Sequence, residues 1–317
     1  MNPFYKTAET FKQGAMTLPQ KYYTDSAVLK KEMENIFTAS WLCCGRCDTI
    51  SEAGQYVLVN IGDESIILLR DNNNILQAYY NVCRHRGTRI CTKEEGKFSK
   101  TIQCPYHGWT YDLQGNLYRA PNMNAVEDYN KSDFPLHNVR LVEWEGFLFI
   151  NLSDNPVDFH LEYSPLMNRF AEWKIEDLKE VKTKTYLANC NWKLIIQNYS
   201  ECYHCPLIHP NLADITSYTG GRNDLVAGPF LGGYMEMNTE SITKDGNLCG
   251  PLIGNLSDKN LNRVYYYALF PNMLLSLHPD FVMIHTVWPE GSEKCRINCS
   301  WLFSKGIEGH SDYHPEH

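Results

Sequence analysis

CRHRG at residues 83–87 and CPYHGW at residues 104–109 decide how the first half of this chain reads, because each offers one thiol and one imidazole at short spacing: Cys83 with His85, and Cys104 with His107. Eighteen residues lie between His85 and Cys104, so the two stretches are separate loops. Two thiolates and two imidazoles are the donor set of a 2Fe-2S cluster in which one iron takes both sulfurs and the other both nitrogens. Structural zinc takes the same four side chains, but its ligand pairs usually lie two to four residues apart so that both converge on one ion. Cys83-x-His85 is tighter than that. Gly87 and Gly108 permit the tight backbone such loops need, and Pro105 stiffens the second. The spacing predicts a cluster at Cys83, His85, Cys104 and His107, with zinc as the alternative.

Around these loops, from Gly54 to about Leu152, short apolar or alternating runs (YVLVNI, SIILLR, ILQAYYNV, FLFINL) are divided by turn signals such as GDE, DNNN and QGN. They predict an antiparallel β domain over 41–155, entered through a helix over 26–40 with apolar residues at helical spacing. Cys44-x-x-Cys47 sits among apolar neighbours and reads as a structural strand and turn rather than half a zinc site. After Asn155-Pro156 the pattern changes. Residues 163–180 read as helix, and the stretch from Asn191 to His204 has helical composition until Pro206 interrupts it. Beyond Gly220 come turn-rich segments and then strand-like runs, VYYYALF, MLLSL, FVMIHTVW and CRINCSWLF. The second domain, 156–317, is therefore expected to be α+β with an antiparallel sheet.

That domain carries a second constellation, NWKLIIQNYSECYHCPLIHPNL at residues 191–212. Glu201 lies three residues before His204, and His209 five after it. On a straight helix the two imidazoles would diverge by about 140° at 3.6 residues per turn. A helix that ends or kinks near Pro206 can instead turn both toward one metal, with a carboxylate completing a 2-His-1-carboxylate site. The plainer alternative is that both histidines hydrogen-bond at a helix end. Cys202 and Cys205 bracket His204, but a zinc site with them is disfavoured because Cys202 and His204 point to different faces of a helix. Asn198, on the same segment, is expected beside the iron ligands rather than among them.

Composition removes other classes. Lys and Arg number 29 against 37 Asp and Glu, a formal charge of −8, which gives no attraction to nucleic acid or anionic lipid. No apolar run reaches the roughly 18–20 residues that span a bilayer, and the N-terminus lacks a signal-peptide pattern, so the expected location is cytoplasmic. Twelve cysteines in such a chain point to metal before disulfides. A GxGxxG dinucleotide fingerprint is lacking, so electrons are expected from a partner.

The two motifs, in this order and about a hundred residues apart, resemble those of Rieske non-haem iron ring-hydroxylating oxygenase α subunits over most of the chain. ECYHCP is similar to the branch acting on quaternary ammonium compounds such as carnitine and glycine betaine. The resemblance implies cluster ligation by Cys83, His85, Cys104 and His107, and mononuclear Fe(II) ligation by His204 and His209. It also implies an electron bridge at Glu201, O2 as co-substrate, and N-demethylation or hydroxylation of a small organic substrate, with dihydroxylation of an aromatic as the alternative. It implies a helix-grip catalytic domain, with residues 1–40 packing on it, a homotrimer, and a separate NAD(P)H-dependent reductase carrying flavin and its own iron–sulfur centre. The family's third iron ligand is an aspartate more than a hundred residues after the second histidine, on a C-terminal helix. Here 108 residues follow His209. The expectation is therefore a chain truncated before that helix, with the third ligand unknown, or Asp312 in its place. A Rieske electron carrier or a zinc-bound scaffold would use only the first constellation. Tyr265, Tyr266 and Tyr267 are expected to pack mainly in the core rather than to cage a substrate.

Overall fold

A computed structural model describes residues 16–314 apart from Asn124, Tyr218, Leu225 and Asp312. It divides into two compact units, Cys44–Glu143 with Phe147–Asp154, and Met1–Cys43 with Trp144–Gly146 and Asn155–His317. Antiparallel sheets build both and the α-helices of the described residues fall in the second, which gives the α+β class expected from the sequence.

In the first unit a four-stranded sheet runs in the order Leu76–Tyr80, Glu64–Arg70, Gln55–Ile61, Glu95–Lys97, and a three-stranded one in the order Thr101–Gln103, Thr110–Asp112, Leu117–Arg119. The run SIILLR is apolar without alternation because Ile66, Ile67, Leu68 and Leu69 are all fully buried, so both faces of that strand are covered. One apolar cluster joins Ile67, Leu69 and Tyr79 to Ile102, Trp109 and Tyr111, and it contains Cys83 and Cys104. The candidate ligand loops thus rise directly from the core.

The second unit is built on a seven-stranded antiparallel sheet, ordered Lys179–Ala188, Lys294–Phe303, Val282–Gly291, Met273–Leu277, Arg263–Leu269, Phe230–Glu236, Arg222–Asn223. The helix expected over 163–180 is not formed. Short 3-10 turns, Ser164–Leu166, Ala171–Trp173 and Ile175–Asp177, take its place, interrupted by Lys174 at φ 47°. The apolar periodicity there serves to bury Leu166, Phe170, Trp173 and Ile175 one by one. Trp173 donates from Nε1 to the His278 carbonyl at 2.9 Å and packs edge-on against Tyr265. Lys179–Ala188 is an edge strand, and Lys179, Lys182 and Lys184 give it the charged character that protects an edge from further pairing. Its charge and exposure hid it from a search for alternating apolar residues.

Tyr265–Tyr267 alternates as a strand must. Tyr265 and Tyr267 are buried on one face, Tyr267 edge-on to Phe170 at 5.0 Å, while Tyr266 faces a cavity with Tyr199. The helix Trp192–Tyr199 lies on that second face, where the Tyr199 and Ser276 hydroxyls are 2.7 Å apart. Asn191 caps this helix by accepting from the Lys193 amide, and Trp192 Nε1 and Lys193 Nζ both reach the Glu32 carboxylate, at 2.9 and 2.6 Å. Glu32 ends the Ser26–Glu32 helix, which continues as the π-helical turn Met33–Phe37. The first fifteen residues of the expected N-terminal segment lie outside the described residues.

Candidate metal centres

The two loops of the first unit are near copies of each other. The Cys83 amide donates to the Thr88 carbonyl at 2.9 Å and the Cys104 amide to that of Trp109 at 2.8 Å. Gly87 and Gly108 donate back to the Cys83 and Cys104 carbonyls at 3.0 and 3.2 Å. Both glycines sit near φ +70°, a conformation L side chains rarely adopt, which is why glycine stands at both places. The thiols point inward, each residue 2% exposed. The imidazoles stand toward the surface, His85 and His107 edge to face with ring centres 4.7 Å apart, and His85 stacks flat on Trp109 at 4.9 Å.

The four side chains therefore come as a buried thiol pair and an outer imidazole pair, the division that a cluster with one sulfur-held and one nitrogen-held iron requires. Electrostatics fits as well. Burial raises the Cys83 thiol, with Cys104 close by, so two thiolates there need a cationic group between them. Burial, helped by His107 and Arg86, lowers His85, which keeps its ring neutral and able to ligate. Tyr111 Oη accepts from the Arg84 amide at 3.1 Å, leaving its hydroxyl proton for Cys83 Sγ at 3.3 Å.

In the second unit the helix ends at Tyr199, five residues before the expected His204, and Pro206 begins the next short helix, Cys205–Ile208, instead of breaking the first. Proline suits that place because first-turn amides have no helical acceptor to lose. His204 stands just before this short helix and His209 just after it, between it and Pro210–Ile215. Two helix ends within six residues bring the imidazoles to ring centres 5.3 Å apart, edge to face. Glu201 Oε1 lies 2.6 Å from His204 Nδ1, and its other oxygen accepts from the Tyr203 amide. Burial works to raise the Glu201 carboxyl, but these two bonds outweigh it and hold it below the ordinary value. A charged Glu201 keeps the His204 proton on Nδ1 and leaves Nε2 as the nitrogen for a metal. Asn198 Nδ2 sits 3.3 Å from that Nε2.

Asn198, Glu201, His204 and His209 all line one cavity of about 590 Å³. Sequence reasoning missed much of its wall: Arg222, Leu231, Gly232 and Gly233 come from distant strands and Asp224 follows one of them, and only the Gly-Gly inside an apolar strand run hinted at a close approach. It also missed that Cys202 and Cys205 are disulfide-bonded to each other, which removes both as thiolate ligands. Asp224, the other acid in the wall, is held by Arg169 through both oxygens at 2.9 Å and by the Tyr267 hydroxyl. Among the described residues no three His, Cys, Asp or Glu side chains converge as a metal shell; each centre is represented by pairs, and Asp312 lies outside the described residues. No described helix is long and apolar enough to cross a membrane.

Residues 40–130 match the family described as Rieske [2Fe-2S] domain, and residues 175–315 that described as ring hydroxylating alpha subunit (catalytic domain). The glycine betaine monooxygenase oxygenase subunit of Chromohalobacter salexigens is 31% identical over 341 residues, covering 96% of this chain and 75% of the relative. The carnitine monooxygenase oxygenase subunit of Escherichia coli is 37% identical over 219 residues, 68% of this chain and 58% of the relative. Among solved structures, the quaternary ammonium Rieske monooxygenase CntA superposes with a TM-score of 0.76 at 27% identity, over 91% of this chain and 76% of that one.

Proposed function

The chain belongs to the Rieske non-haem iron oxygenase α-subunit family, and from that membership we propose that it is the oxygenase component of a monooxygenase that hydroxylates or N-demethylates a small quaternary ammonium compound. The catalytic-domain match sets this reading above an electron carrier or a zinc scaffold, neither of which needs residues 175–315.

When bound, a 2Fe-2S cluster supplies single electrons and a mononuclear iron supplies oxygen activation. Cys83 and Cys104 would hold one iron of the cluster, and His85 and His107 the other. His204 and His209 would hold the mononuclear iron, with the third ligand unassigned. Glu201 fixes the His204 tautomer, and Asn198 stands at the liganding nitrogen. Tyr199 and Tyr266 supply ring surface to the same cavity. An aromatic face attracts a trimethylammonium group by about 0.5–2 kcal/mol per contact. Tyr234 pairs with Tyr265, and its ring packs on the other face of the sheet against Tyr265 at 5.6 Å and the Arg263 guanidinium at 3.7 Å.

Electrons come from a separate reductase, and the assembly is a homotrimer with Glu201 as its electron bridge. Support for that assembly is the exposed apolar surface beside Glu201, where Tyr203, Leu207 and Ile208 are 84%, 88% and 66% exposed. A cytoplasmic location suits a chain whose twelve cysteines include only one disulfide among the described residues.

The observation that carries the reading is the meeting of Glu201, His204, His209 and tyrosine rings in one cavity. The test is oxygen uptake by the purified protein with its reductase and NADH, across a panel of quaternary ammonium compounds and aromatic hydrocarbons. Uptake coupled to loss of a methyl group or to hydroxylation of a quaternary ammonium compound is expected. Turnover of the hydrocarbons alone would sink the substrate assignment.

A further inference from the structure

The disulfide between Cys202 and Cys205 brackets the candidate iron ligand His204, and the proposed chemistry makes no use of it. The other ten cysteines of the chain are free, so this pair stands apart. Both of its residues line the cavity that His204 and His209 share. Cys205 is 3% exposed, and its Sγ stands 4.0 Å from His204 Nε2, the nitrogen left for a metal. Two donors of one tetrahedral zinc, a sulfur at about 2.3 Å and a nitrogen at about 2.0–2.1 Å, lie about 3.6 Å apart. The Cys205 sulfur is therefore placed almost as a ligand sharing a metal with His204 would be.

The spacing agrees with that placement. Cys202 and Cys205 have two residues between them and His204 and His209 have four, both within the range that zinc-binding pairs use. A helix running through Cys202 and His204 would send them to different faces, but one helix ends at Tyr199 and the next begins at Cys205, which leaves both residues in the stretch between. Thiolates are soft ligands that favour zinc, and zinc already outranks Fe(II) at sites of nitrogen and oxygen donors. A free thiol pair here would compete against iron, and the disulfide removes that competition.

We propose that Cys202 and Cys205 are latent metal ligands: as a disulfide they are barred from the mononuclear centre, and as a dithiol they complete, with His204 and His209, a site of two thiolates and two imidazoles that takes zinc in place of Fe(II). Reduction by a small thiol such as glutathione gives the pair two electrons and two protons and leaves the small thiol as its own disulfide. Zinc then binds both sulfurs and displaces the two thiol protons. The redox state of the pair thereby sets which metal the centre holds, in keeping with the redox-sensing role of disulfides in reducing compartments. The inference rests on His204 and His209 as metal ligands and is independent of the substrate.

The test is zinc binding by the cluster-loaded protein, first oxidised and then reduced with a thiol that is removed under exclusion of oxygen, read by chelator competition and by X-ray absorption at the zinc edge. Reduction is expected to tighten zinc binding about a hundredfold or more, since gaining a ligand outweighs the roughly ten- to hundredfold effect of a partner behind one. The reduced protein is expected to show zinc–sulfur distances of about 2.3 Å, and the oxidised protein only nitrogen and oxygen at about 2.0–2.2 Å. Cys205→Ser and His204→Ala are each expected to remove most of the gain. Equal affinity in the two redox states, a reduced shell without sulfur, or a gain that survives either substitution in full overturns the latent site and leaves the proposed function standing. Fe(II) binding by the oxidised protein that His204→Ala leaves unchanged overturns His204 as a metal ligand, and the latent site with it.

Discussion

The cluster loops and the iron segment present the same kind of ligands in opposite ways. Each cluster loop is self-contained: a cysteine, a histidine two or three residues on, a glycine at positive φ, and two backbone hydrogen bonds that close the loop on itself. Around the iron segment, local sequence supplies only Asn198, Glu201, His204 and His209. Arg222, Asp224, Leu231 and Tyr266 reach the cavity because a seven-stranded sheet carries them there. A site closed by its own backbone is fixed by a few residues in a row, whereas a site assembled at a distance depends on the packing of the whole unit.

If that contrast holds, buried polar groups in the catalytic sheet control the stability of the second site. His278 is buried with neither ring nitrogen hydrogen-bonded, His285 is half-buried with Nδ1 without a partner, and burial lowers them from 6.5 to about 3 and about 4. Both are neutral in the folded unit. The unfolded chain takes up protons below about pH 6.5 and the folded unit does not, so stability is full above that pH and falls as the pH drops toward 4 and 3. Between pH 6.5 and 5 the loss from His278 alone is up to about 2 kcal/mol. Denaturant midpoints of the catalytic-unit transition at pH 7 and pH 5 check this. His278→Phe should reduce the acid loss, and an unchanged acid loss would remove His278 as its source.

The glycine loops offer the next largest effect. Gly87→Ala meets no neighbour within 4 Å of the new Cβ, so its cost is the strain of φ +71° alone, about 1–2 kcal/mol. Thermal unfolding of the cluster-loaded protein should show a lower Tm for the first unit and an unchanged transition for the second. A smaller effect comes from Tyr111→Phe, which removes the hydroxyl between Cys83 Sγ and the Arg84 amide. It should cost about 1 kcal/mol of first-unit stability and lower the cluster's reduction potential, because hydrogen bonds to the sulfurs help set it. An unchanged potential in a spectroscopic titration would separate Tyr111 from the cluster.

Legibility in the sequence followed the same divide. Cys-x-His and Cys-x-x-His, each followed by Gly, were readable because all the information is local. SIILLR and VYYYALF announced strands by β-branched and aromatic content. Residues 163–180 misled because isolated anchors such as Phe170 and Trp173 mimic helical spacing while the backbone runs through separate turns. Pro206 misled because proline opens a helix as readily as it breaks one. Lys179–Ala188 was hidden by its edge position, and the two-residue strand Arg222–Asn223 by its shortness within a turn-rich segment.

Counting iron and acid-labile sulfide, with the visible spectrum, on wild type, Cys104→Ser and His204→Ala tests the two-centre account most directly. The expected wild type shows a Rieske spectrum with two sulfides per chain; Cys104→Ser loses it, and His204→Ala keeps it while losing one iron per chain. A colourless wild type containing zinc, or loss of the cluster spectrum in His204→Ala, would contradict it.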